Sequence, residues 1–141
     1  MQNLVTEFHT KYKLPQNLED DVLLVGDAIS PLDRQMVVVS REIQELEEAI
    51  NEIHDLYHLA ECETVKLERA MKMAHSHALK ELCDVVYAAF GVAVSCGYDM
   101  DAALLKVHAS NMTKTRIDDD IKKLENYVEP TLILEAGYEA I

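Results

Sequence analysis

The sequence has no tryptophan, two phenylalanines, four glycines and three prolines in 141 residues. So little glycine and proline leaves scant material for turns, and few stretches alternate in the strand manner, so the expected class is all-α. Basic residues are also scarce: 13 Lys and Arg stand against 26 Asp and Glu, a formal net charge of −13. That balance argues against polymeric nucleic acid as a partner, because such binders turn a basic surface toward phosphates. It does not exclude a nucleotide accompanied by Mg²⁺, an ion that proteins hold with clustered carboxylates. Cysteine is limited to Cys62, Cys83 and Cys96, and no C-x-x-C pair occurs. Neither a zinc knuckle nor a disulfide framework is indicated, and reduced thiols fit a cytoplasmic protein. The start, MQNLVTEFHTKYK, has no apolar signal core, and no run approaches about 18 apolar residues, so no membrane span is expected.

What is present is helical patterning in a chain long enough for one domain, 1–141. Residues 3–13 place Leu4, Val5, Phe8 and Tyr12 on or near one face of a short helix that Pro15 ends. Residues 15–33, with Gly26 and Pro31, are expected to be a loop with room for a short helix, and Pro31 suits a helix start. A long helix is expected from about Asp33, with a break near 59–64 and a second long helix over 64–96. Gly97 fits its C-cap, and Asp99 or Asp101 fits the N-cap of the next helix. The tail after residue 116 is expected to add a further amphipathic turn or two before Pro130. The sum is four or five helices packed as a bundle.

Two of these helices carry acids where a solvated face is not expected. On a wheel at about 100° per residue, Val38, Leu46, Ala49 and Ile53 all fall within about 40° of Glu42. Glu42 is therefore in the middle of the apolar stripe, and Glu45 lies about 60° away at its edge. In KELCDVVYAAF, Glu81 and Asp84 repeat the i, i+3 spacing inside an even more apolar segment. Four carboxylates facing one another would repel, and a divalent cation resolves this. All-oxygen donors suit Mg²⁺, with Mn²⁺ as a substitute, rather than zinc. A di-iron bundle is disfavoured because no E-x-x-H occurs. His54 and His58 form an H-x-x-x-H pair but lack a third obvious ligand.

REIQELEEAI, and KELCDVVYAAFGVAVSCGYDMDAALLKVHASNMTK after it, resemble the all-α nucleoside triphosphate pyrophosphohydrolases, which include the MazG-like proteins and phosphoribosyl-ATP pyrophosphohydrolase. VTEFHTKY resembles the F-H start of MazG-like members, and the resemblance covers roughly residues 4–115, leaving 116–141 as a C-terminal extension. One departure is Arg41, where many members carry a second acid beside Glu42. The resemblance implies a four-helix-bundle-type fold completed between subunits of a homodimer or homotetramer. It implies Mg²⁺-dependent hydrolysis of nucleoside triphosphates to monophosphate and pyrophosphate. It implies that Glu42, Glu45, Glu81 and Asp84 bind the metal, that Glu42 or Glu45 acts as the base, and that Asn111 and Lys114 contact phosphate or sugar. Phe8, His9 and Tyr87 are candidates for a base pocket. The alternatives are a non-catalytic helical interaction module and a nucleotide-binding regulator on the same fold.

Overall fold

The computed structural model describes residues 1–14, 16, 31–59 and 64–132. They form helices α1 (Gln2–Tyr12), α2 (Pro31–Leu59), α3 (Thr64–Cys96) and α4 (Met100–Asn111), then short strands β1 (Thr115–Ile117) and β2 (Asp120–Lys122). The chain is thus mostly helical, as expected. Most of the expected 15–33 loop, the break between the long helices and Cys62 lie outside the described residues. No helix among the described residues is long and apolar enough to cross a membrane.

The helix ends follow local chemistry. Lys13 closes α1 in the left-handed conformation at φ 53°. Gly97 closes α3 at φ 73°, a region that glycine enters without strain from a Cβ. The Tyr98 N–H reaches back to the Ala93 carbonyl at 2.8 Å, satisfying an acceptor at the end of the helix. Of the two N-cap candidates, Asp99 serves: its carboxylate accepts from the Ala102 N–H at 3.0 Å. Asp101 instead accepts from the Gln2 N–H at 3.3 Å. Asp99→Ala should lower stability by about 0.5–2 kcal/mol, read as a shift in the midpoint of urea unfolding.

The tail departs from the expected amphipathic turns. Strands β1 and β2 pair antiparallel, with Thr115 opposite Lys122 and Ile117 opposite Asp120. The reason is local. Asp118 adopts φ 54°, which Asp tolerates better than most residues and which tight hairpins demand. The β-branched Thr115, Ile117 and Ile121 suit the flanking strands. Beyond the hairpin the chain returns to α4: Ser110 Oγ donates to the Val128 carbonyl at 2.6 Å, and Thr113 Oγ1 accepts from the Val128 N–H at 2.9 Å.

Helices α2 and α3 lie antiparallel, since Gln35 meets Gly91 near one end and Glu52 meets His77 toward the other. Small residues let them approach: Ala49, Ala74 and Ala88 are buried at this level, with Ile53 beside them. Helix α1 docks on the C-terminal half of α3 through Val5, Phe90 and Val94, with Tyr87 and Met100 packed around them. The Gln2 side chain extends that docking, accepting from the Met100 N–H at 2.7 Å at the start of α4. This leaves much apolar surface open. Met36, Ile43, Ile50 and Tyr57, each seven residues apart, are exposed along α2, and Leu79, Leu82 and Val86 are exposed on α3.

Candidate functional site

Ala74, Glu81 and Ala88 recur every seven residues along α3 and are all buried, so Glu81 occupies a core position rather than the solvated face. Opposite it, Glu42 and Ala49 hold the matching spacing on α2. One carboxylate oxygen from each of Glu42, Glu45 and Glu81 lies within 4.8 Å of the other two. Among the described residues this is the one group of three or more His, Cys, Asp or Glu side chains so placed. His54 and His58 are exposed and lie outside it.

Glu81 is only 4% exposed. Its Oε1 accepts from Lys80 Nζ at 3.0 Å and lies 3.1 Å from His77 Nε2. Its Oε2 is buried with no hydrogen-bond partner, a costly arrangement for a carboxylate oxygen. The Glu42 side chain is 13% exposed and that of Glu45 is 43%, in keeping with their places at the centre and edge of the stripe. Asp84 stands apart from the three-acid group, its Oδ2 held 2.8 Å from Lys80 Nζ. Arg41 Nη2 contacts Glu42 Oε1 at 2.8 Å, and its Nε lies 3.7 Å from Glu45 Oε1. Hydrogen bonds to Asp84 and then Glu81 hold the Lys80 ammonium well above the usual lysine pKa. The bond to Glu42 likewise raises Arg41.

A cavity of about 800 Å³ opens between α1, α2 and α3, and Glu42, Glu45, Asp84, Arg41 and Lys80 line its charged side. Its other walls include Phe8, His9, Gln35, Tyr87 and Gly91. Phe8 stands edge-on to Tyr87, with ring centroids 5.5 Å apart. His9 is buried at 2% exposure. Gly91 keeps the floor open: a Cβ there would lie 3.0 Å from Gln35 Oε1 and 3.3 Å from His9 Nε2.

The structure therefore gathers seven of the expected residues, Phe8, His9, Glu42, Glu45, Glu81, Asp84 and Tyr87, in or beside one cavity. Asn111 and Lys114 lie at and just beyond the C-terminus of α4, and they are not among the residues lining the cavity of their own chain. Arg41, Lys80, His77 and Gln35 were not expected as site residues. The i, i+4 spacings of Lys80 with Asp84 and of His77 with Glu81 are the sequence signal for two of them. The donors of the three-acid group are all oxygen and one of its buried oxygens has no hydrogen bond, a chemistry that a hard divalent cation would satisfy. No family model matches this chain, and no curated protein matches it.

Proposed function

We propose that this chain is an Mg²⁺-dependent nucleoside triphosphate pyrophosphohydrolase with a MazG-like helical fold. The observation that carries the reading is the buried, unpartnered Oε2 of Glu81, a residue grouped with Glu42 and Glu45, which themselves line a cavity with an aromatic wall. The sequence resemblance adds the reaction class. Glu42, Glu45 and Glu81 would hold the ion, with Asp84 adjoining them. When bound, Mg²⁺ would neutralise charge on the phosphate oxygens and make the attacking water more acidic.

The protein's own groups supply the rest. Water attacks the α-phosphorus, the α–β anhydride bond breaks, and pyrophosphate leaves. Glu45, the more exposed acid of its pair, would take the water's proton through a carboxylate oxygen that the ion does not engage. Phe8 and Tyr87 offer apolar faces to a base, while His9 and Gln35 stand beside Gly91 at the floor. Asn111 and Lys114 do not line the cavity of their own chain, so the role implied for them would have to be played across a subunit boundary. The exposed row on α2 supports such an assembly.

The test is incubation with Mg²⁺ and a panel of ordinary, deoxy and modified triphosphates, with release of pyrophosphate as the readout. No turnover of any of them overturns the proposal. Gly91→Val should fill the floor and raise KM for the best substrate by about tenfold, the scale of one misplaced aliphatic group, while Mg²⁺ binding without nucleotide persists. A second reading, the non-catalytic helical module, is favoured by the contacts of Arg41 and Lys80, which already neutralise part of the acidic cluster. Calorimetry showing no affinity for Mg²⁺ or Mn²⁺, with or without nucleotide, would select it.

A further inference from the structure

Two cations occupy the acidic cluster from within the chain. Arg41 lies against Glu42 Oε1 at 2.8 Å, and Lys80 lies against Glu81 Oε1 at 3.0 Å and Asp84 Oδ2 at 2.8 Å. A divalent ion among Glu42, Glu45 and Glu81 would compete with these two cations for the charge of Glu42 and Glu81. Both side chains also line the cavity, and both are 62% exposed, so they are free to swing on long stems without disturbing the core. The charge arithmetic closes: the two side chains carry +2 together, the charge that one divalent ion brings.

We propose that Arg41 and Lys80 are exchangeable counter-ions, displaced from Glu42 and Glu81 by the divalent cation and passed to the polyphosphate that enters with it. The inference rests on the site reading above and adds a coupling to it. Without an anion in the cavity, displacing the two cations leaves them unpaired beside the ion, so Mg²⁺ alone binds weakly. With a polyphosphate present, the guanidinium meets phosphate oxygens through its planar fork and the ammonium meets them as a compact charge. Ion and anion therefore favour each other's binding, and by linkage each strengthens the other by the same factor.

The experiment uses the full chain and two calorimetric titrations: Mg²⁺ into the protein alone, then inorganic pyrophosphate into the Mg²⁺-saturated protein. Lys80→Met keeps the aliphatic stem and removes the charge. It should tighten Mg²⁺ binding roughly threefold, the scale of one exposed ion pair, and weaken pyrophosphate binding about tenfold, the scale of one charge-assisted contact. Arg41→Met should move both constants the same way, and Lys80→Arg should recover the pyrophosphate affinity. Lys80 and Arg41 are exposed, so circular dichroism should show the variants folded. Mg²⁺ affinity unchanged or reduced in both Met variants overturns the displacement, and unchanged pyrophosphate affinity overturns the transfer. Absence of Mg²⁺ binding by the unaltered protein both with and without pyrophosphate overturns the site reading itself, and this inference with it, an outcome separate from the other two.

Discussion

Glu81→Leu should abolish Mg²⁺ binding and turnover yet leave the metal-free protein at least as stable as the parent. The two effects share one cause. The carboxylate is 4% exposed and one of its oxygens has no partner, so in the absence of metal it carries an uncompensated desolvation cost of about 1–3 kcal/mol. Its ion pairs do little to offset this, because Lys80 and His77 are more than half exposed and solvent screens them. Leucine fills the position with no polar atom to satisfy. In a chelator, Glu81→Leu should therefore melt a few degrees above the parent. Saturating Mg²⁺ should reverse the order, stabilising the parent by about 2.7 kcal/mol at a hundredfold excess over Kd and leaving the variant unchanged. Turnover should fall by at least about 100-fold, since losing even an outer-shell partner of a metal costs that much in some sites. A variant that is strongly destabilised in chelator would show that the carboxylate is a structural element, and the metal reading would fall.

Ile50→Glu should convert an assembled protein to a single chain of 15.9 kDa, seen by light scattering during gel filtration. Ile50 is central in the row Met36, Ile43, Ile50 and Tyr57, whose seven-residue spacing keeps a stripe along one side of α2. Each of these side chains is exposed in the single chain, and a stripe of this length on one helix is more than the scattered apolar surface of a monomer. A charge in the middle of such a seam has no partner there and costs more than the lost contacts alone. If Asn111 and Lys114 act across the subunit boundary as proposed, activity should fall with mass. An unaltered protein that runs as a single chain and is fully active would remove the assembly from the proposal.

The helical frame was readable because its punctuation is local. Pro31 opens α2, Gly97 closes α3, and Asp99 caps α4, each through chemistry within a few residues. The positions of Glu42 and Glu45 were also readable, since burial follows the wheel, 13% against 43% side-chain exposure. The counter-ions were harder to see. Arg41 precedes Glu42 and Lys80 precedes Glu81, and neighbours in sequence ordinarily point away from each other on a helix. Only long flexible stems let them curl back. The floor formed by His9, Gln35 and Gly91 comes from three helices, and no pattern within one helix records such a meeting. The hairpin was missed because it depends on the backbone angle of Asp118, while the run of three aspartates gives only a polar signal.

The two halves of the cavity differ in how much chain must be closed to build them. The contact between Glu52 and His77, from α2 to α3, spans 25 residues, whereas Tyr87 reaches Leu4 on α1 across 83. Loop-closure entropy alone separates these by about 1 kcal/mol, and α1 adds only a small apolar contact in return, through Val5 against Phe90 and Val94. The carboxylate half is thus expected to assemble early, as a helical hairpin, and the aromatic half late, when α1 docks. The same order in reverse is expected on unfolding: α1 should lift while α2 and α3 stay paired, carrying Phe8 away from Tyr87 and leaving the acids in place. Amide exchange should then be faster in α1 than in the paired segments of α2 and α3.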